Sequence, residues 1–218
     1  MSEIRQAITK SVIGLATFSI VTTALITATY LLTFDRIEQQ RKIAESRALR
    51  DIFPNHYHDN EFLDDRVNLP DSAVLGKQSQ KAFVSRKQGR INGVLIPATA
   101  PQGYGGEIRL ISGIDSAGTI AGVRVLAHRE TPGLGDKIEL RKSDWIQQFT
   151  GKSLGNPAPE GWRVIKAGGE FDQLTGATIT SRAVIKAVYN TLDYFNRNRD
   201  YLLKGTGGGK HGDNHSEQ

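Results

Sequence analysis

Asp172-Gln173-Leu174-Thr175-Gly176-Ala177-Thr178 joins two unlike parts of the chain. Before it, Arg163-Val164-Ile165-Lys166 reads as a last strand and Gly168-Gly169 as a turn. After it, Ile179 through Leu203 has helical periodicity: Ile185, Val188, Tyr189, Leu192 and Phe195 recur at spacings of three and four, one apolar face of a helix. Thr175 and Thr178 therefore sit where a loop becomes a helix. A helix N-terminus presents unpaired N–H groups and a partial positive charge, which suit a phosphate. Gly176 and Ala177 place no bulk between the threonines, so the backbone can approach a ligand. The same residues also have a plainer reading, with threonine as a helix cap and glycine as a turn residue, and local physics alone favours it.

Upstream the chain reads as strands. Ala82-Phe83-Val84 and Ile91 to Ile96 read as short strands. Glu107 to Ile111 and Thr119 to Ala127 are rich in Ile, Val and Leu, and the turn signal Asp115-Ser116-Ala117-Gly118 makes them a hairpin. Strands followed by helices give an α+β class: a mixed, mainly antiparallel sheet with flanking helices. Thr131 to Asp136 interrupts the strands. Pro132, Gly133 and Gly135 make a loop expected to expose backbone N–H groups to a flat ligand, with His128 and Glu130 at a strand end beside it. Gly103-Tyr104-Gly105-Gly106 is not a dinucleotide fingerprint, because Ile108 stands where its last glycine belongs. Gly151-Lys152-Ser153 has the ending of a P-loop, but Ile146 replaces the required glycine. His56-Tyr57-His58-Asp59 has no third ligand nearby in sequence, and no metal site is assigned.

Ser11 to Phe34 holds 24 residues without a charge, 11 of them Leu, Ile, Val or Phe. As a helix it runs about 36 Å, enough for a hydrocarbon core of about 30 Å. Its length favours an uncleaved transmembrane helix over the shorter apolar region of a signal peptide. The expected organisation is residues 1–10 as a cytoplasmic N-terminus, 11–34 as the transmembrane helix, 35–80 as a juxtamembrane helix ended by Pro54 and a connecting loop, 81–204 as the ligand-binding domain, and 205–218 as a Gly-rich disordered tail. Arg36, Arg41, Lys42, Arg47 and Arg50 follow the span, whereas only Arg5 and Lys10 precede it. Basic residues counted alone place the C-terminal side in the cytoplasm.

The Asp172–Thr178 run resembles the flavin-transfer motif Asp-x-x-Ser/Thr-Gly-Ala-Thr, with every defined position matched. With the lone N-terminal span and the run His128-Arg129-Glu130-Thr131-Pro132-Gly133-Leu134-Gly135-Asp136, the chain resembles the G subunits of the Rnf (or Rsx) electron-transport complexes from the span to about Leu203. The resemblance implies FMN esterified through its phosphate to Thr178, with Asp172, Thr175, Gly176 and Ala177 completing the motif. It implies that Glu130, Thr131, Gly133, Leu134 and Gly135 lie against the flavin ring. Lys166 or Arg182 is expected to neutralise the phosphodiester. It further implies a flavin transferase for maturation, partner membrane and soluble subunits, and an electron carrier with no complete reaction of its own, serving an ion-translocating ferredoxin:NAD oxidoreductase of the bacterial inner membrane. The soluble domain is then periplasmic, against the basic-residue count; Asp35, Glu38 and Glu45 dilute that count, and long domains translocate largely regardless of charge. Two other readings stay open: the C subunit of a sodium-translocating NADH:quinone oxidoreductase, and a cofactor-free anchored binding or sensor domain in which Thr178 only caps a helix.

Composition sets outer limits. The 218 residues carry 28 Lys and Arg against 23 Asp and Glu, without a basic stripe interleaved with aromatics, so nucleic acid is not an expected partner. The absence of cysteine excludes thiolate iron–sulfur ligation, a cysteine nucleophile and disulfides within the chain.

Overall fold

The computed structural model of the chain describes residues 2–76 and 81–204. The expected tail at 205–218, with His211 and His215, lies outside the described residues. The chain divides into two compact units, Met1–Ala44 and Glu45–Gln218.

The first unit is the greater part of α1 (Ser2–Ile52). Within it, Ile4–Ile37 is long and apolar enough to cross a membrane, with a mean hydropathy of 1.8 over its apolar 18-residue window. Its threonines do not spoil this. The hydroxyls of Thr17, Thr22, Thr29 and Thr33 donate to carbonyls four residues back, at 2.8–2.9 Å, so these four are satisfied within the helix. Leu15, Phe18 and Leu32 are 72, 72 and 81% exposed, a surface suited to hydrocarbon.

The second unit is built on a five-stranded sheet: β1 (Arg66–Asn68), β2 (Lys81–Lys87), β3 (Arg90–Ala100), β4 (Ile108–Asp115) and β5 (Ile120–Ala127), paired antiparallel in sequence order. The β2–β3 turn is Gln88-Gly89, both at positive φ (52° and 74°), as a two-residue hairpin of matching twist requires. In the β4–β5 turn, Asp115 Oδ1 accepts from the Ala117 and Thr119 amides. Period-two alternation then covers both faces. Val94, Ile96, Leu110 and Ile114 enter one core cluster, with Phe149, Phe171, Val184 and Val188. Leu95, Ile111 and Phe83 enter a second, with Ala48, Leu49, Ile52 and Phe53.

That second cluster depends on glycine. Gly93, Gly113 and Gly122 lie on three adjacent strands, β3, β4 and β5. A Cβ on Gly93 would come within 2.5 Å of the Phe53 ring, and one on Gly113 within 2.2 Å of Ile52. The missing side chains leave a trough that receives Ile52 and Phe53, where α1 ends before Pro54.

The other face is covered by α2 (Thr178–Arg197). Its buried side includes Ile185, Val188, Leu192 and Phe195, as the periodicity predicts, together with Val184, whereas Tyr189 is only half-buried. The helix expected to run to Leu203 stops earlier. At Asn198 the side-chain amide donates to the Tyr194 carbonyl at 3.0 Å, and a short α3 (Arg199–Lys204) follows. The strand expected at Arg163–Lys166 is not formed. Val164 makes one isolated bridge to Phe171, and Ile165–Ala167 is a 3₁₀ turn closed by Gly168 at φ 80°. Arg163, Ile165 and Lys166 are exposed, so only Val164 has a core to join.

Gly113→Ala is expected to cost about 1–3 kcal/mol by overpacking, whereas Gly155→Ala, with nothing near its would-be Cβ, should lie within about 0.5 kcal/mol of the parent. Chemical denaturation of both variants in detergent checks the contrast.

Candidate functional site

The motif folds into a tight turn ahead of α2. The Ala177 amide donates to the Leu174 carbonyl at 3.0 Å, and Gly176 holds φ 78°, a left-handed conformation that favours glycine. Ser181 secures this turn from the helix: its Oγ accepts from the Leu174 amide and donates to the Ala177 carbonyl, both at 3.0 Å. Neither threonine of the motif caps α2. The cap position is Ala177, which has no capping side chain, and Thr178 is the first helical residue. Among the described residues the Thr178 hydroxyl has no hydrogen-bond partner, and the amides of Thr178, Ile179 and Thr180 open the helix without intrahelical acceptors.

Thr178 borders a cleft of about 460 Å³. Gly176, Ala177, Ile179 and Thr180 line it from the motif side, and Glu130, Thr131, Leu134 and Gly135 from the loop after β5. Tyr104 closes it from the β3–β4 connection. Its rim is apolar and open: Tyr104 is 70% exposed, Ile179 53% and Leu134 44%. Leu134 leans over Gly176, where a Cβ would approach its Cδ2 to 3.1 Å.

Glu130 is buried, only 5% exposed, and binds the three walls together. Its Oε1 accepts from the Gly105 amide at 2.9 Å, and its Oε2 accepts a short bond from the Thr180 hydroxyl. Gly105 and Gly135 make room for it. A Cβ on Gly105 would strike the Arg129 carbonyl, and one on Gly135 would meet the Glu130 side chain at 2.8 Å.

The loop differs from expectation in one respect. The amides of Leu134, Gly135 and Asp136 all turn inward to the Thr131 carbonyl, at 3.2, 3.0 and 3.4 Å, so they are not presented to a ligand. A chain reversal this tight satisfies its own donors. The first turn of α2 offers unpaired N–H groups of its own beside the cleft.

Of the residues singled out by sequence, Thr178, Gly176, Ala177, Glu130, Thr131, Leu134 and Gly135 meet around the cleft. Asp172, Thr175 and Gly133 do not line it. Asp172 is exposed and bound through its backbone, its carbonyl accepting from Trp145 Nε1 and its amide donating to Gln148. Lys166 and Arg182 are likewise absent from the lining, and Arg182 borders a different groove. Tyr104, Ile179 and Thr180 join the lining without belonging to either motif. Tyr104 lies in the glycine run that fails as a dinucleotide fingerprint, and Thr180 is marked only by being a polar residue two places beyond Thr178.

Comparison with known proteins puts these features in context. An FMN-binding domain model matches residues 103–193, and a model described as the RnfG N-terminal region matches residues 1–52. Proteins named as the G subunit of an ion-translocating oxidoreductase complex are similar over nearly the full chain. That of Vibrio vulnificus (strain YJ016) is 45% identical over 197 residues, covering 90% of this chain and 93% of the relative. That of Pseudomonas aeruginosa (strain UCBPP-PA14) is 44% identical, with 91% and 94% covered. That of Shewanella baltica (strain OS223) is 46% identical, with 87% and 90% covered.

The chain belongs to this G-subunit family. Membership decides between the two redox readings left open by the motif, and the FMN-binding domain match removes the cofactor-free one. The FMN-binding match encloses every residue that lines the cleft, and α1 lies within the other match. The site fits the group. A 460 Å³ volume falls in the range of about 300–1,000 Å³ typical of small-ligand sites. The uncapped first turn of α2 suits a phosphate, and the apolar rim suits a flat ring.

Behind the loop, the Glu130 amide donates to His128 Nδ1 at 3.0 Å, which leaves the ring proton on Nε2, 2.9 Å from Glu139 Oε1. His128 is thus committed to holding the strand end and does not line the cleft. A hydrogen bond from Arg141 holds the Glu139 carboxyl below the usual carboxylate range; burial opposes this and His128 assists it. A depressed folded-state value stabilises at pH above the unfolded glutamate range and ceases to do so as pH falls through it.

Two outcomes follow from these contacts. Glu130→Ala should cost about 1–3 kcal/mol in denaturation, because it leaves the Gly105 amide and the buried Thr180 hydroxyl without their acceptor. For Glu139→Gln, the stability gap to the parent should be widest at pH 7 and narrow below about pH 4, as measured by thermal melts across pH.

Proposed function

We propose that this chain is a single-span electron carrier whose periplasmic domain holds FMN covalently, through a phosphoester on Thr178 Oγ, within an ion-translocating oxidoreductase complex. The observation that carries the reading is the Thr178 hydroxyl: it caps nothing, has no partner among the described residues, and stands at the uncapped N-terminus of α2 on the edge of an open cleft.

Each lining group has a task in this reading. The amides of Thr178, Ile179 and Thr180 and the helix dipole meet the phosphate charge, which no lysine or arginine of the cleft lining does. Tyr104, Leu134 and Ile179 offer apolar surface to a flat ring and leave one side open. Glu130 is a positioning residue, holding Thr180 and therefore the first turn of α2 against the Gly105 wall. The bound flavin supplies the one- and two-electron chemistry. A covalent tether removes the need for an enclosing pocket, so the ring can stay accessible to redox partners. A flavin transferase is needed for the attachment, and the motif residues Asp172 and Thr175, outside the cleft lining, are available on the surface for it to read.

Co-expression of the full chain with a flavin transferase tests this. A denaturing gel under ultraviolet light should show a fluorescent band for the parent and none for Thr178→Ala, and only when the transferase is exported to the periplasm. Fluorescence of the Thr178→Ala band removes the attachment point, and loading by a cytoplasm-confined transferase removes the periplasmic placement.

A further inference from the structure

A second groove, of about 380 Å³, runs along α2 beyond the cleft and has no part in the flavin reading. Its floor is apolar. Trp162, Val164 and Ile185 are buried there, and the Trp162 ring is fixed against Phe171 at 4.8 Å and Tyr189 at 5.6 Å. Trp162 Nε1 already donates to the Pro157 carbonyl, so it offers an occupant no donor. The rim carries three cations, Arg163, Arg182 and Lys186. All are exposed, and none has an ion pair among the described residues. No carboxylate among the described residues lines the groove: Glu170 nearby is 3.8 Å from Lys152, and Glu160 is not part of the wall.

Position connects this groove to Thr178. Arg182, Ile185, Lys186 and Tyr189 follow Thr178 by four, seven, eight and eleven residues, which places all of them on one side of α2. Tyr189 lies only about 16 Å along the axis from Thr178. Whatever fills the groove is therefore seated beside the candidate flavin attachment point. Three unpaired cations around an apolar floor call for an occupant with carboxylates at its edges and an apolar side chain between them. Arg182 and Lys186 are one helical turn apart, about 6 Å, the spacing of alternate residues on a strand or of residues four apart on a helix. A polypeptide supplies that pattern.

We propose that this groove docks an acidic, apolar-anchored segment of another subunit of the complex, holding it next to Thr178. The proposal rests on the electron-carrier reading for its purpose, but its test reads contact and assembly, not redox activity.

A photo-crosslinking amino acid placed at Arg163 or at Lys186 of the full chain, in its own membranes, should capture a segment of another subunit in which at least two Asp or Glu flank an apolar residue. The same probe at exposed Arg90 should not. In parallel, R163E/R182E/K186E should lower recovery of the assembled complex by about tenfold, as reversing several rim charges does, while the fluorescent flavin band stays as strong as the parent's. Lysine substitutions in the captured segment should restore assembly. Crosslinks to lipid, to the transferase or to a neutral segment overturn the proposal. So does undiminished assembly of the triple variant, or loss of its flavin band with assembly intact, which would give the groove to the transferase. The flavin reading fails separately, through an unlabelled parent chain.

Discussion

The buried Glu130 carboxyl is the interaction on which the cleft depends. It sits where three segments distant in sequence converge, and it satisfies one donor from each of two: the amide of Gly105 and the hydroxyl of Thr180. A buried acceptor of this kind is stabilising only while both donors are present, because losing either leaves a desolvated oxygen. The glycines at 105 and 135 are the steric condition for it, since side chains there would displace the carboxyl or the Arg129 backbone. The first turn of α2 is held in register with the opposite wall, and Thr178 keeps its hydroxyl at the cleft edge instead of turning back to cap the helix.

The sheet supplies the rigidity behind that arrangement. Both of its faces are covered, one by α2 and one by the residues that end α1, so β3 and β4 are buried along most of their length. The glycine trough brings Ile52 and Phe53 down onto the strands, while the opposite face carries the helix that begins at Thr178. The two cores share the strand backbones and draw on alternate strand residues.

Much of this is legible in the sequence, for physical reasons that differ by element. The apolar run of Ser11–Phe34, the Asp115–Gly118 turn and the α2 face follow from hydropathy, turn chemistry and period, all local signals. The α+β class with an antiparallel sheet follows from the same signals. Arg163–Lys166 has the look of a strand but forms none, because Val164 alone is buried and one apolar residue between exposed neighbours does not make a ladder. β1, three residues long, carries too short a pattern to be seen. The loop at Thr131–Asp136 is marked by its glycines, but the amides of Leu134, Gly135 and Asp136 point inward, a matter of backbone geometry that composition does not reveal. At the site, Thr178, Glu130 and Leu134 come from motifs, whereas the pairing of Glu130 with Thr180, fifty residues away, is a tertiary contact with no local trace.

In the proposed reading this fold presents one hydroxyl, that of Thr178, for a flavin phosphoester. Thr175, Thr178, Thr180 and Ser181 all fall between Lys166 and Arg182, so trypsin releases them in a single peptide, Ala167–Arg182. Tandem mass spectrometry of that peptide from the natively matured chain is the decisive experiment. One FMN is expected, with the fragment series placing it on Thr178. An unmodified peptide, or FMN on Thr175, Thr180 or Ser181, would contradict the reading.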